Sequence, residues 1–179
     1  RKAYDIGWKP VHYLNNVSIS IGSVLTPAGL DKSVGLITAA YLKEENDPQW
    51  RNDAGMNQWR EFMKKYMPDA NLSDQFNVYG YTVGATLATA LKQCGDDLTR
   101  ENVMRQSANL KNLRLETLLP GILISTTPAD YAPIEAVQLQ SNDPRSQQIS
   151  SSAEPILKQE ALAKQSAHID AVSGASFTS

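Results

Sequence analysis

The sequence predicts a mixed α/β fold, because three helix-forming segments are interspersed with short apolar segments that favour strands. The helical segments lie near residues 53–66, 73–93 and 100–110, where apolar residues recur on one side at helical spacing. The strand candidates are residues 11–14, 34–42, 113–118, 121–125 and 134–139. With 179 residues, the chain is long enough to bury a core of its own.

The stretch from Asn15 to Lys43 is the most informative part of the chain. Val17, Ile19 and Ile21 alternate with small polar residues, and this period of two predicts an extended segment with one polar face. A polar face followed by the chain breakers Gly22 and Pro27 suits the lining of a ligand cleft. An ordinary strand with a solvated face explains the same pattern equally well. The candidate pocket residues are Asn15, Asn16, Ser18 and Ser20.

The helices carry recognisable start signals. Ser73 or Asp74 can cap the second helix, and Thr99 can cap the third. The second helix is predicted to bury Val78, Tyr81, Ala85, Ala88, Leu91 and Cys94. Tyr81 is also a candidate aromatic wall for the pocket, although its place in the helix suits the core as well.

Composition narrows the possible functions. The net charge of −2 and the absence of a basic stripe argue against a nucleic-acid partner. His12 has no Cys or His partner at metal-ligand spacing, and Cys94 is the single cysteine, so neither a metal site nor an internal disulfide is expected. No Ser/His/Asp or Cys/His set and no phosphate-binding glycine motif stands out, so we predict a binding module and not an enzyme.

The character of the chain changes after residue 139. Residues 146–167 are rich in Gln, Ser and Ala, and Pro155 suits the first turn of a helix beginning near Ser152. We therefore divide the chain into residues 1–139 and 140–179. Because position 1 is Arg and no signal peptide is visible, we expect a processed, engineered or partial chain.

Residues 1–139 resemble type I periplasmic solute-binding proteins of ABC importers, the branched-chain amino acid receptor family. The resemblance rests on NNVSISIGSVLTPAGL, GLITAAYLK followed by DPQW, CGDDLTRENVMRQSANLK, and LLPGI followed by TPADYAPIEAVQL. It covers only the later part of such a protein. It implies one α/β lobe with a central sheet flanked by helices, a small amino acid or aromatic acid as ligand, a membrane permease as partner, and an extracytoplasmic location.

Residues 133–179 resemble the second half of the FMN-binding domain family, an α+β fold. The matching phrases are RSQQI, EPILKQEALAKQSA and IDAVSGASFTS. In that family a separate flavin transferase esterifies FMN to the last residue of the motif. The corresponding positions here are Asp170, Ser173, Gly174, Ala175 and Ser176, with serine in place of the usual threonine. A flavoprotein electron carrier, with FMN on Ser176, is therefore the alternative to a solute receptor. A purely structural or interaction protein is a third possibility, because the amphipathic helices alone would suffice for it.

Overall fold

The computed structural model describes residues 1–143, 148–151 and 156–157. The helices are α1 (Lys2–Asp5), α2 (Thr26–Ala28), α3 (Ala54–Tyr66), α4 (Gln75–Cys94) and α5 (Arg100–Ser107). The strands are β1 (His12–Leu14), β2 (Leu36–Ala40), β3 (Ala136–Asp143), β4 (Gln148–Ser151) and β5 (Ile156–Leu157). The predicted α/β class is confirmed. Within the described residues, no helix combines the length and hydropathy needed to cross a bilayer.

The strands form one sheet in which β2 and β3 are central. β1 pairs with β2 in parallel, with His12 opposite Leu36. β2 pairs with β3 antiparallel, and β3 in turn pairs antiparallel with β4 and, at its first two residues, with β5. The sheet therefore joins the beginning of the chain to residues more than a hundred positions later.

The described residues beyond 139 belong to this sheet. β3 runs without a break across residues 139 and 140, where the sequence suggested a boundary, and the division into two units stays a prediction. The helix predicted from about residue 152 is wrong at Ile156–Leu157, which pair as a strand with Ala136 and Val137. Ladder hydrogen bonds to β3 override the local helical preference there. The FMN-motif positions Asp170, Ser173, Gly174, Ala175 and Ser176 lie outside the described residues.

Two predicted strands are reduced to isolated bridges. Residues 113–118 and 121–125 meet only at Leu113 and Ile124, and Ile124 also bridges to Ile134. The Pro120–Gly121 turn, in which Gly121 has a positive φ of 81°, shortens both segments. This region is nevertheless buried, because Leu118, Leu119, Ile122 and Ile124 are at most 3% exposed.

The prediction of an extended segment over residues 15–21 is wrong. Residues Asn16–Ser18 form a 3₁₀ turn, and residues Ile21–Leu25 form a π-helical turn that we call the π-turn. The side chain of Asn15 accepts a hydrogen bond from the backbone N–H of Val17 and so competes with strand pairing. Buried and exposed side chains also do not alternate as a strand would require, because Val17 is half exposed whereas the neighbours Ile19 and Ser20 are both buried.

The core lies where α3 and α4 pack over the end of β2 and the 113–124 region. Met56, Trp59 and Met63 of α3 are at most 1% exposed. α3 approaches the 113–124 region closely at Gly55, where a Cβ atom would overlap Glu116. α4 contributes Val78, and the hydroxyl of Thr82 lies 2.7 Å from that of Thr117. These contacts hold α3 and α4 against one core.

Candidate functional site

A cavity of about 270 Å³ lies between the π-turn, the end of β2 and the first turns of α4. Its lining comprises Asn16, Val17, Ser20, Ser23, Tyr41, Leu42, Gln75, Phe76 and Tyr79. Small-molecule sites are typically concave and mostly apolar, with a few polar groups that fix the orientation of the ligand. The size of this cavity is near the lower end for such sites, which suits a small ligand.

Ser20, one of the residues that line the cavity, carries a buried polar group. Its carbonyl oxygen accepts hydrogen bonds from the N–H groups of Val24 and Leu25, at 3.1 and 2.9 Å, and these bonds hold the π-turn in place. The residue is only 2% exposed, and its Oγ has no hydrogen-bond partner among the described residues. A buried hydroxyl without a partner costs about 1–3 kcal/mol, so a ligand or water that bonded to it would recover that energy.

Tyrosine and phenylalanine side chains form the opposite wall. Asp74 caps α4 by accepting a hydrogen bond from the N–H of Phe76, and the helix then carries Tyr79 one turn later. Burial raises the pKa of the Tyr41 phenol, and the nearby Tyr79 adds to the shift. The Tyr41 phenol therefore stays protonated near neutral pH and can donate or accept a hydrogen bond.

The described residues that line the cavity include no Lys, Arg, Asp, Glu or His. The site thus offers hydroxyl and amide groups on an apolar surface, and it suits an uncharged or largely apolar part of a ligand. In the part of the chain that the structure describes, no cluster of three or more His, Cys, Asp or Glu side chains is placed to hold a metal ion.

The structure separates the predicted pocket residues. Asn16 and Ser20 line the cavity, whereas Asn15 is committed to its local hydrogen bond with Val17 and Ser18 is not part of the lining. Tyr81 lies elsewhere, in a groove of about 580 Å³ between α3 and α4, where its ring packs edge-on to Phe62. That groove is lined almost entirely by apolar and small side chains, with few polar groups to orient a ligand.

Sequence reasoning missed the aromatic wall. Tyr41 follows β2 directly, and a polar aromatic residue at the end of a buried strand could have marked it. Phe76 and Tyr79 lie on the side of α4 that is turned away from Val78, so the helical pattern could have separated them from the core. Their position opposite Ser20 depends on tertiary packing, which the pattern does not contain.

Comparisons with known proteins find a likeness in fold. No protein-family model matches the chain, and no curated protein matches its sequence. The chain is similar to a crystal structure described as a branched chain amino acid ABC transporter from Thermus thermophilus with bound valine, with a TM-score of 0.68 and 17% sequence identity. The match covers 87% of this chain and 41% of the Thermus chain. The likeness is therefore one of fold, between this chain and part of the Thermus protein.

Proposed function

We propose that this chain is part of a solute receptor that binds a small, largely apolar molecule in the cavity beside Ser20. The observation that carries the proposal is the buried, unpartnered hydroxyl of Ser20, a residue that lines a cavity together with two tyrosines. The likeness to the valine-bound Thermus structure supports a hydrophobic amino acid, or a related small carboxylate, as the class of ligand.

The proposal assigns the cavity to the apolar part of such a ligand. Since no cation lines the described cavity, the charged ends of an amino acid would be bound by groups outside this lining. The chain matches 41% of the length of the Thermus protein, so a second wall for the site belongs to the proposal as well. An ABC permease as partner, an extracytoplasmic location and a role without catalysis are parts of the same proposal.

Calorimetric titration with valine, leucine and benzoate tests this function, both on the 179-residue chain and on the full product of its gene. Ser20→Ala is expected to weaken binding about 3- to 10-fold, because one hydrogen bond in a buried site contributes about 0.5–1.5 kcal/mol. Ser18→Ala is the matched comparison, because Ser18 belongs to the same stretch but does not line the cavity. If none of the three ligands binds the full gene product, or if both variants weaken binding equally, the site is wrong.

A flavin carrier is the second candidate, and it is supported only by the Asp170 to Ser176 motif. A hydroxyl at Ser176 could form the same phosphoester that threonine forms in the FMN-binding family. After co-expression with a flavin transferase, mass spectrometry of the peptide containing Ser176 should then show the added mass of FMN, and the sample should be yellow. Ser176→Ala is the control, and an unmodified peptide in the unchanged chain would exclude this candidate.

A further inference from the structure

Two adjacent glutamates, Glu44 and Glu45, are buried beside the π-turn. Glu44 is 3% exposed and Glu45 is 9% exposed, although carboxylates are rarely buried without a cation. Among the described residues, neither glutamate takes part in an ion pair, and Oε2 of Glu45 has no hydrogen-bond partner. The proposed binding site does not use either residue directly, so their burial needs another explanation.

The pair is bonded to the π-turn that carries one wall of the cavity. The backbone N–H of Ile21, the first residue of the turn, donates a hydrogen bond to Oε1 of Glu44 at 3.3 Å. The Asn46 amide donates to Oε1 of Glu45 at 2.9 Å and to Oε1 of Glu44 at 3.4 Å, and it thereby links the two carboxyl groups.

Gly22 brings the π-turn directly against this amide. A Cβ atom at Gly22 would overlap the Ser73 carbonyl oxygen and would lie 3.1 Å from Nδ2 of Asn46. The π-turn is therefore held between Glu44 and Asn46 on one side and the residues before α4 on the other. Ser20, which lines the candidate cavity, immediately precedes Ile21.

The surroundings disfavour the ionisation of both carboxyl groups. Burial, together with the smaller effect of the negative charge of Glu44, raises the pKa of Glu45 to about 8. Burial also raises the pKa of Glu44. The carboxylates of Asp47 and Asp74 act in the same direction, on Glu44 and Glu45 respectively.

Two arginines also face the space beside Glu45. Arg51 and Arg60 line a cavity of about 350 Å³ together with Glu45. Arg60 is engaged with the carbonyl oxygens of Trp50 and Arg51 and with Oδ1 of Asn57, so it is not free to pair with Glu45. Arg51 is exposed to solvent, where its charge is screened.

We propose that Glu44 and Glu45 are positioning residues that hold the π-turn, and with it Ser20, in the shape that binds ligand, and that alkaline pH releases this hold. Once both carboxyl groups are ionised, two negative charges lie side by side in a buried site that already faces Asp47 and Asp74. Their repulsion is relieved when a glutamate turns out into water, and the hydrogen bond from Ile21 to Glu44 is then lost. The effect on ligand binding rests on the proposed function, whereas the release of the turn does not.

NMR of the ¹⁵N-labelled chain between pH 6 and 10 tests the release without any ligand. The amide signals of Ile21 and Gly22 are expected to shift with a midpoint near pH 8, the value that burial gives Glu45. In Glu45→Gln, whose amide keeps the shape of the side chain and cannot ionise, this titration should disappear. Glu61→Gln, on the exposed side of α3, is the control and should titrate like the unchanged chain. Flat Ile21 and Gly22 signals in the unchanged chain, or a titration that persists in Glu45→Gln, would overturn the proposal.

A valine titration of the full gene product at pH 7 and pH 9.5 tests the consequence for binding. The dissociation constant is expected to rise at least 10-fold between the two pH values in the unchanged protein, and less than 2-fold in Glu45→Gln. A similar pH ratio in both proteins would overturn the positioning role. If valine binds at neither pH, the proposed ligand class fails, and the amide titration still decides whether the glutamates hold the turn.

Discussion

Helices α3 and α4 pack against the same core but expose very different outer faces. The outer face of α3 carries Glu61, Lys64 and Lys65, all exposed, while Trp59 and Met63 are buried. α4 has no charged residue from Gln75 to Leu91, and its outer face exposes Phe76, Tyr79, Val83, Leu87 and Leu91. A helix that is apolar on every side is normally buried on every side. An amphipathic helix needs to bury only its apolar side, because its polar side is solvated.

The even distribution of apolar residues around α4 explains why its buried side was predicted only in part. In α4, Val78 and Cys94 are buried as expected, but Ala88 and Leu91 are exposed, and Thr82 and Ala90 are buried instead. When apolar residues occur all round a helix, the sequence pattern does not fix which side faces the core. Thr82 is accommodated there because its hydroxyl bonds to Thr117 and to the carbonyl oxygen of Val78.

The largest expected effect concerns the buried face of α3. Trp59→Ala should lower the free energy of unfolding by about 3–5 kcal/mol, because it removes a large side chain that is 1% exposed and leaves a cavity. Urea denaturation followed by circular dichroism measures this change. Glu61→Ala, on the exposed side of the same helix, is the control and should change stability by less than about 0.5 kcal/mol. Equal effects would mean that α3 is not oriented as described.

The starts of the two helices should also differ in strength. Both Asp53 and Asp74 cap a helix, but only Asp53 also pairs with a lysine, Lys43, whose ammonium lies 2.9 Å from the carboxylate and whose side chain is 6% exposed. Asp53→Ala should lower the free energy of unfolding by about 2–3 kcal/mol, because it removes a helix cap and leaves the buried Lys43 ammonium without its carboxylate partner. Asp74→Ala should lower it by about 1 kcal/mol, because only a cap is lost. Thermal unfolding at pH 7 compares the two variants. If the two variants lost similar amounts of stability, the ion pair between Asp53 and Lys43 would contribute nothing to the free energy of unfolding.

The same pair gives a pH dependence with a definite sign. Burial alone would raise the pKa of Asp53, but the Lys43 ammonium and the N–H of Met56 outweigh it and lower the pKa below 3.8. Stability from this group is therefore fully present above pH 3.8 and is lost as the pH falls through the lowered pKa. In Asp53→Asn, which can still cap the helix, the loss of stability in that acidic range should be smaller than in the unchanged chain.

Two valines on α4 separate its inner side from its outer side. Val78 is fully buried, whereas Val83 is 49% exposed. Val78→Ala should cost about 2 kcal/mol through lost burial and a new cavity, whereas Val83→Ala should be close to neutral, because alanine also favours the helix. Chemical denaturation of both variants gives the comparison. A cost at Val83 equal to that at Val78 would mean that the outer face is covered in solution.

Much of the fold could be predicted because its signals are local. The caps at Asp74 and Thr99 each act within the first turn of a helix. Residues 15–21 were predicted wrongly because an alternating pattern also fits two short turns once Asn15 bonds to Val17. Residues 113–118 and 121–125 were predicted as full strands although they pair with each other only at Leu113 and Ile124. An apolar run in the sequence does not show where strand pairing stops.

The candidate site was only half predictable. Asn16 and Ser20 were found from the polar pattern of one stretch, but the cavity exists only because Tyr41 and the start of α4 are packed opposite them. Contacts between distant segments leave no periodic signal in the chain. The burial of Glu44 and Glu45 has no signal in the sequence for the same reason, because it depends on the π-turn packed against them.

The smallest expected effect tests whether the groove between α3 and α4 is open. Gly84 lies inside the helix on the groove between α3 and α4, and a Cβ atom there would meet nothing within 4 Å. Alanine is favoured over glycine in a helix interior by about 0.5–1 kcal/mol, so Gly84→Ala should raise the free energy of unfolding by that amount. Gly55→Ala is the opposite control, because its Cβ would overlap Glu116 and the variant should be destabilised. Chemical denaturation of the 179-residue chain should show the two changes with opposite signs. If Gly84→Ala instead destabilises the chain, another segment or a second molecule approaches α4 at Gly84 and fills the groove between α3 and α4.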